Sequence, residues 1–198
     1  IIPLNATETV NLLKGKQGTK VEVEVIREGV NNPFTVAITR DTIKLEMVES
    51  KMLQDQIGYL SLLKFGNHTG AELKKHMEQL QAQGMKGLIL DLRSNPGGSL
   101  KEAQDISSLF INQDLVVYLK YKNGQETKYN RTMPNLGNFP LIVLVNGGSA
   151  SASEIVTGAI KDYKRGTIIG QKTFGKGIVQ EVMPLEGGDA IKLTVAQY

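Results

Sequence analysis

Three serines, Ser149, Ser151 and Ser153, fall within five residues in the run Asn146-Gly147-Gly148-Ser149-Ala150-Ser151-Ala152-Ser153-Glu154. Small residues let a backbone turn sharply and a ligand approach closely, and a serine in such a turn attacks a carbonyl when a neighbour takes its proton. Ser151-x-x-Glu154 is equally a capping box ahead of an apolar-periodic helix, and on that motif alone the cap is the commoner meaning. Ser149 and Ser153 are rival nucleophiles on the same grounds. A base must come from elsewhere. His68 sits in the Gly66–Gly70 turn and His76 at a polar mid-helix position, and both read as solvated. A lysine serves if burial keeps it neutral. The candidate is Lys176 in Thr173-Phe174-Gly175-Lys176-Gly177, flanked by Phe174 and followed by the apolar run Ile178–Met183. The bland alternative is an exposed lysine in a hairpin turn. Gly170-x-x-x-x-Gly175-Lys176 imitates a phosphate-binding loop, but Gly177 stands where a magnesium-binding Ser or Thr belongs, and a strand-like run replaces the helix.

Composition narrows the chemistry further. The chain has 198 residues, 23 Lys+Arg against 20 Asp+Glu, no cysteine and two histidines. Cysteine nucleophiles, disulfide frameworks, thiolate zinc sites and three-histidine metal centres are thereby excluded. No cofactor or metal is expected. The lysines are scattered rather than interleaved with aromatics, which argues against a nucleic-acid surface. No apolar run reaches the ~20 residues that span a bilayer, so no membrane contact is expected from these residues. The chain opens at Ile1 without an initiator Met and reads as an excised piece.

The surrounding elements must position these residues. Asn5–Leu13 has a short amphipathic helical pattern, Thr19–Arg27 alternates as a half-buried strand, and Phe34–Ile38 is its hairpin partner. Together they make too small a unit to fold alone, the back half of a β-rich module. Arg40–Val48 leads into a second region. There, Ile57–Phe65 reads as a strand and Thr69–Gln83 as a helix. Gly87–Leu92 reads as a buried strand, ahead of the loop Arg93–Gly98 and a helix over Leu100–Phe110. Leu141–Val145 reads as a further strand, ahead of the serine loop and a helix over Ser151–Tyr163. Thr167–Ile169, Ile178–Met183 and Ala190–Ala196 complete the strands. Strand, glycine-rich loop and helix thus occur twice, which predicts an α/β fold. Both loops lie at strand carboxyl ends, where α/β sheets bind ligands and helix N-termini favour developing negative charge.

The ordered blocks Gly58-Tyr59-Leu60, Leu90-Asp91-Leu92-Arg93-x-Asn95-Pro96-Gly97-Gly98, Gly148-Ser149-Ala150-Ser151-Ala152-Ser153-Glu154-Ile155 and Gly170-x-Lys172-Thr173-Phe174-Gly175-Lys176-Gly177 resemble the carboxyl-terminal processing peptidases, or tail-specific proteases. These are Ser–Lys serine endopeptidases. The resemblance implies a crotonase-like α/β protease core with a mixed sheet and flanking helices over residues 43–198, lacking its C-terminal end. Residues 1–42 would be the truncated second half of a PDZ domain. Carried over position by position, Ser151 is the nucleophile, Lys176 the general base and Gln180 the residue that orients the lysine. The N–H of Ala152 and one from Gly97, with Gly98 as the alternative, would form the oxyanion hole. The mechanism asks that Lys176 be buried near Phe174, without a carboxylate partner and within reach of Ser151. Protein or peptide substrates held by their C-terminal tails, an extracytoplasmic location and a bacterial source are implied as well. Homo-oligomerisation stays open. The competing expectation is a non-catalytic peptide-binding or scaffolding module on the same fold.

Overall fold

The computed structural model describes residues 5–42 and 46–198. The chain divides into two compact units, Ile1–Leu45 and Glu46–Tyr198. The expected boundary between residues 42 and 43 adjoins residues 43–45, which lie outside the described residues.

In the first unit, helix α1 (Ala6–Leu13) starts at a complete capping box, in which Asn5 Oδ1 accepts the Glu8 N–H at 2.9 Å and Glu8 accepts the Asn5 N–H at 3.0 Å. Strands β1 (Lys20–Val25) and β2 (Phe34–Thr39) pair antiparallel, with Val23 opposite Val36. Val21, Val23 and Val25 are half-buried and alternate with exposed residues, while every β2 residue is exposed. Arg40 carries much of the cohesion. Its guanidinium donates to Leu12 O, Leu13 O and Lys20 O at 2.8–3.0 Å, closing the carbonyl end of α1 onto the hairpin.

The second unit is built on a five-stranded sheet in the order β3-β4-β5-β8-β9. Strands β4 (Ile57–Leu62), β5 (Gly87–Asp91), β8 (Leu141–Val145) and β9 (Thr167–Gly170) run parallel, and β3 (Val48–Met52) joins the edge antiparallel. The register sets Leu60, Leu90, Val143 and Ile168 in one row, of which the first three are fully buried. Such continuous apolar runs suit a sheet covered on both faces. Helices α2 (Thr69–Ala82), α3 (Leu100–Ser108) and α4 (Ala152–Asp162) supply Leu73, Met77, Ile106, Val156 and Ile160 to the same core. An antiparallel sheet, ordered β10-β11-β6-β7, completes the unit from β6 (Leu115–Tyr121), β7 (Glu126–Asn130), β10 (Ile178–Pro184) and β11 (Ala190–Gln197).

The mixed α/β architecture follows the sequence expectation, with two differences. Strand β3 starts at Val48, the last residue of what reads as a connecting passage, and fills residues 48–52, which the sequence alone assigns to no element. The β6–β7 hairpin fills residues 115–130, turned at Asn123-Gly124 with Gly124 at φ 81°. The left-handed region is open to glycine without strain, and Asn-Gly between β-rich runs is a strong hairpin signal.

Candidate active site

Asn95 fastens the first glycine-rich loop. Completely buried, it donates through Nδ2 to Leu62 O at 2.7 Å and accepts the Gly97 N–H through Oδ1 at 2.9 Å. Its carbonyl takes the Ala150 N–H at 3.0 Å and the Ser153 hydroxyl at 2.9 Å, binding this loop to the serine loop. Asn146 adds a second tie, since its Oδ1 accepts the Ser94 N–H at 2.8 Å. Gly97, at φ 93°, lies so close to the serine turn that a Cβ there would sit 2.8 Å from Ala152 N and 2.9 Å from Ser151 Cβ. The strand before this loop ends in a charge-paired hub. The buried Asp91 carboxylate accepts the Tyr59 hydroxyl at 2.7 Å and the Arg93 guanidinium at 2.6–3.0 Å. Burial alone would raise the Asp91 pKa, but the Arg93 and Tyr59 hydrogen bonds outweigh it and leave the pKa lowered.

The three serines part company here. Ser149, fully buried, donates to Leu92 O at 2.7 Å and accepts the Asn146 N–H at 3.0 Å. Ser153, also fully buried, gives its proton to Asn95 O. Ser151 is 8% exposed, and its Oγ has one partner among the described residues, the Tyr198 hydroxyl at 3.4 Å. Its backbone is at φ 55°, ψ −113°, a region costly for any residue with a Cβ. Ser151 and Glu154 face each other as a capping box: Glu154 Oε2 accepts the Ser151 N–H at 2.8 Å, and the serine side chain lies toward the Glu154 N–H without a hydrogen bond of normal geometry. The hydroxyl is thus left free for other chemistry.

Lys176 is half-buried in the loop after β9. Its N–H donates to Glu154 Oε2 at 2.9 Å, and Glu154 Oε1 accepts the Gly175 N–H at 2.7 Å and the Thr173 hydroxyl at 2.8 Å. One carboxylate therefore holds both the serine turn and the lysine loop. Burial works to raise the Glu154 pKa, and these hydrogen bonds more than offset it, so the pKa is lowered. Among the described residues, the Lys176 ammonium makes no ion pair and no hydrogen bond to Ser151.

Phe174 is 70% exposed and does not bury the lysine as expected, because the loop is anchored by its backbone and its hydroxyl and turns the ring outward. The Gln180 amide lies with Thr194 Oγ1 at 3.3 Å, across the β10–β11 pair, not with Lys176. Of the two oxyanion-loop glycines, Gly97 has its N–H spent on Asn95, whereas the N–H groups of Gly98 and Ala152 have no partner among the described residues. That hydrogen bond, an Asx turn spanning two residues, occupies the N–H of the glycine that the resemblance made the preferred donor. His68 is exposed, but His76 Nδ1 is 2.6 Å from Ser50 Oγ, so it joins α2 to β3 and is not a free surface ring. Tyr198, and Glu154 in its bridging role, were not singled out by sequence reasoning.

Beside Lys176 and Tyr198 opens a cavity of about 540 Å³, bounded by β6, α4 and Gly175–Gly177. Among the described residues no group of acidic and histidine side chains could hold a metal.

Residues 56–198 match peptidase family S41. The chain is 40% identical over 196 residues to the carboxy-terminal processing protease CtpA of Bacillus subtilis, covering 98% of this chain and 42% of that protein. It is 37% identical over 199 residues to the carboxyl-terminal-processing protease of Synechocystis, covering 98% of this chain and 47% of that one. The solved photosystem II D1 C-terminal processing protease superposes with a TM-score of 0.70 at 32% identity, over 92% of this chain and 51% of the other. The chain thus spans about half the length of the curated relatives it matches. On this sequence match and this shared core, the chain belongs to peptidase family S41.

Proposed function

We propose that the whole protein is a serine endopeptidase that cleaves protein substrates near their C-termini through an acyl-enzyme. The observation that carries the reading is the sorting of the serines: two spend their hydroxyls on Leu92 O and Asn95 O, whereas Ser151 Oγ, at a strained turn, meets only the Tyr198 hydroxyl at 3.4 Å among the described residues. Ser151 Oγ attacks the scissile carbonyl while Lys176, neutral at that moment, takes its proton. The proton then passes to the leaving amine, and water, activated by the same lysine, releases the acyl group. The developing oxyanion is held by the Ala152 and Gly98 N–H groups, each donor worth about 3 kcal/mol. Gln180 orients the lysine once its amide leaves Thr194.

On the same reading, residues 5–42 correspond to the later part of a PDZ domain, substrates are captured by their tails, and the protein works outside the cytoplasm. The lack of a Ser151–Lys176 hydrogen bond suits the rival reading, a peptide-binding module without turnover. A fluorophosphonate probe on the full-length protein separates them. Labelling that disappears in Ser151→Ala but persists in Ser149→Ala and Ser153→Ala supports the protease. An unlabelled native protein that still binds peptides supports the module.

A further inference from the structure

The start of α3 repeats an arrangement found at the serine turn. Ser99 precedes the helix, its Oγ accepts the Glu102 N–H at 3.4 Å, and the Glu102 side chain reaches beyond its own helix, as that of Glu154 does from α4. Glu102 Oε1 accepts the His68 N–H at 3.0 Å, and Oε2 accepts the Gly70 N–H at 2.7 Å. Both donors belong to the start of α2, where His68, the residue ahead of the first turn, makes no side-chain capping hydrogen bond. Hydrogen bonds from helix N-terminal amides to a carboxylate are charge-assisted and favoured by the helix dipole. His68 sits at φ 66°, a conformation costly for a residue with a Cβ, so the segment keeps this path only while a neighbour holds it. The half-buried Glu102 is that neighbour.

What Glu102 holds lies against the candidate oxyanion loop. Phe65, three residues before His68, brackets Gly98: its N–H donates to Gly97 O at 3.1 Å, and its carbonyl accepts the Ser99 N–H at 2.9 Å. Gly98 is at φ 147°, and a Cβ there would collide with the Phe65 carbonyl. The Phe65 backbone therefore sets the attitude of Gly98, whose N–H has no partner among the described residues. Phe65 is almost fully buried, and α2 meets α3 so closely at Gly70 that a Cβ there would lie 2.9 Å from Asp105 Cβ. In packing this close, a displaced segment moves its neighbours with it.

We propose that Glu102 is a positioning residue for the cleavage reaction: by fixing the Phe65–Gly70 segment, it keeps the Gly98 N–H aimed at the developing oxyanion. The proposal rests on the serine-protease reading. An oxyanion donor acts only at the place that the charge reaches in the transition state, so misaligning it lowers kcat and leaves substrate binding alone. Glu102 itself touches no reacting atom.

The test compares the full-length parent with Glu102→Gln, Glu102→Ala and Gln81→Ala. Gln81 donates to Leu136 O at 2.6 Å near the other end of α2, so its loss weakens the fold without reaching Gly98. Fluorophosphonate titration to completion counts competent enzyme, and peptide hydrolysis gives kcat and KM. A peptide aldehyde, which forms a tetrahedral adduct on a serine, reports oxyanion binding. Glu102→Ala should lower kcat by about 10- to 100-fold, less than the ~10²–10³ of deleting such a donor outright. KM should stay within about twofold, and the aldehyde should weaken by the same factor as kcat. Glu102→Gln, which keeps one acceptor oxygen, should fall between Glu102→Ala and the parent. Hydrogen exchange at the Phe65 and Ser99 amides should quicken in Glu102→Ala. Gln81→Ala should lower Tm yet match the parent in kcat, aldehyde affinity and exchange at those amides. Parent-like kcat and aldehyde affinity in Glu102→Ala, with a parent that is labelled and active, would overturn the proposal alone. An equal loss in Gln81→Ala would overturn it too, since the effect would then be one of general stability. A parent that neither takes the probe nor cuts peptides refutes the protease reading, and the proposal falls with it. If Glu102→Ala does not fold, Glu102→Gln decides the matter.

Discussion

Glu154 holds Lys176 by its backbone, not by its charge: Oε2 accepts the Lys176 N–H at 2.9 Å, and the same oxygen accepts the Ser151 N–H at 2.8 Å. A carboxylate paired with the ammonium would favour its protonated form and oppose a base role. By engaging main-chain donors, Glu154 fixes the spacing of the two segments and leaves the lysine side chain unpaired among the described residues.

Replacing that carboxylate should therefore separate the segments. In Glu154→Gln an amide NH2 faces backbone N–H donors where an oxygen had accepted them, so about half of the four hydrogen bonds are lost. Mispositioning on this scale commonly costs on the order of 10²-fold in rate, and we expect kcat/KM to fall by that amount with the secondary structure intact. The pH response has a definite sign. The Glu154 pKa is lowered in the folded state, so its stabilisation is present above the ordinary value of about 4.5 and is lost as pH falls through the folded value. Thermal unfolding should show the gap in Tm between native and Glu154→Gln narrowing as pH is taken from 6 to 3. A gap that widens on acidification would contradict this role.

Ser151 offers a second test because its backbone is strained and its side chain makes no cap hydrogen bond of normal geometry. The sequence motif alone implies a loss of ~1 kcal/mol for Ser151→Ala, the usual value of an N-cap. The geometry implies a change within about 0.5 kcal/mol, and a gain of about 1 kcal/mol for Ser151→Gly, which relieves φ 55°. Chemical denaturation distinguishes the two accounts. Both variants should be inert to fluorophosphonate.

Gly97 tests the approach of the two loops. An added methyl would lie 2.6 Å from Ala150 O and 2.8 Å from Ala152 N, at a φ of 93° that side chains rarely adopt. Gly97→Ala should destabilise by roughly 1–3 kcal/mol and abolish turnover. Gly124→Ala, also at positive φ but with open space around it, should cost stability without touching kcat. Equal kinetic damage from both would mean that loop apposition plays no part.

Much of this was legible in the chain, and what was not has a common cause. The parallel strands announce themselves because burial on both faces leaves short unbroken apolar runs such as Gly87–Asp91 and Leu141–Val145. The serine loop is equally plain, but the three hydroxyls could not be told apart locally. The acceptors that occupy Ser149 and Ser153 lie 57 and 58 residues upstream, so only the fold reveals which hydroxyl is free. Glu154 read as a local cap for the same reason, since its other partners lie 19 to 22 residues downstream. The β6–β7 hairpin carried its own signal in Asn123-Gly124, where Gly124 takes the left-handed φ of 81°.

The decisive prediction concerns the base. In the proposed mechanism Lys176 must be deprotonated to accept the Ser151 proton, and a guanidinium does not deprotonate in the working range. Lys176→Arg should therefore be as inactive as Lys176→Ala, each down by ~10²–10⁴-fold in kcat, the usual share of general-base catalysis. Structural damage is not expected to confuse the comparison, because Glu154 holds this loop through the N–H groups of Gly175 and Lys176 and the Thr173 hydroxyl. Unchanged Tm values would establish that the loop survives. The absence of cysteine from these 198 residues permits a rescue as well. Lys176→Cys should be inactive until its thiol is alkylated with 2-bromoethylamine, which rebuilds an amine at nearly the same reach. Activity should return with a pH–rate profile displaced toward lower pH, since a thioether in the chain makes the amine less basic. A restored rate with an unmoved profile, or substantial activity in Lys176→Arg, would show that some other group takes the proton from Ser151.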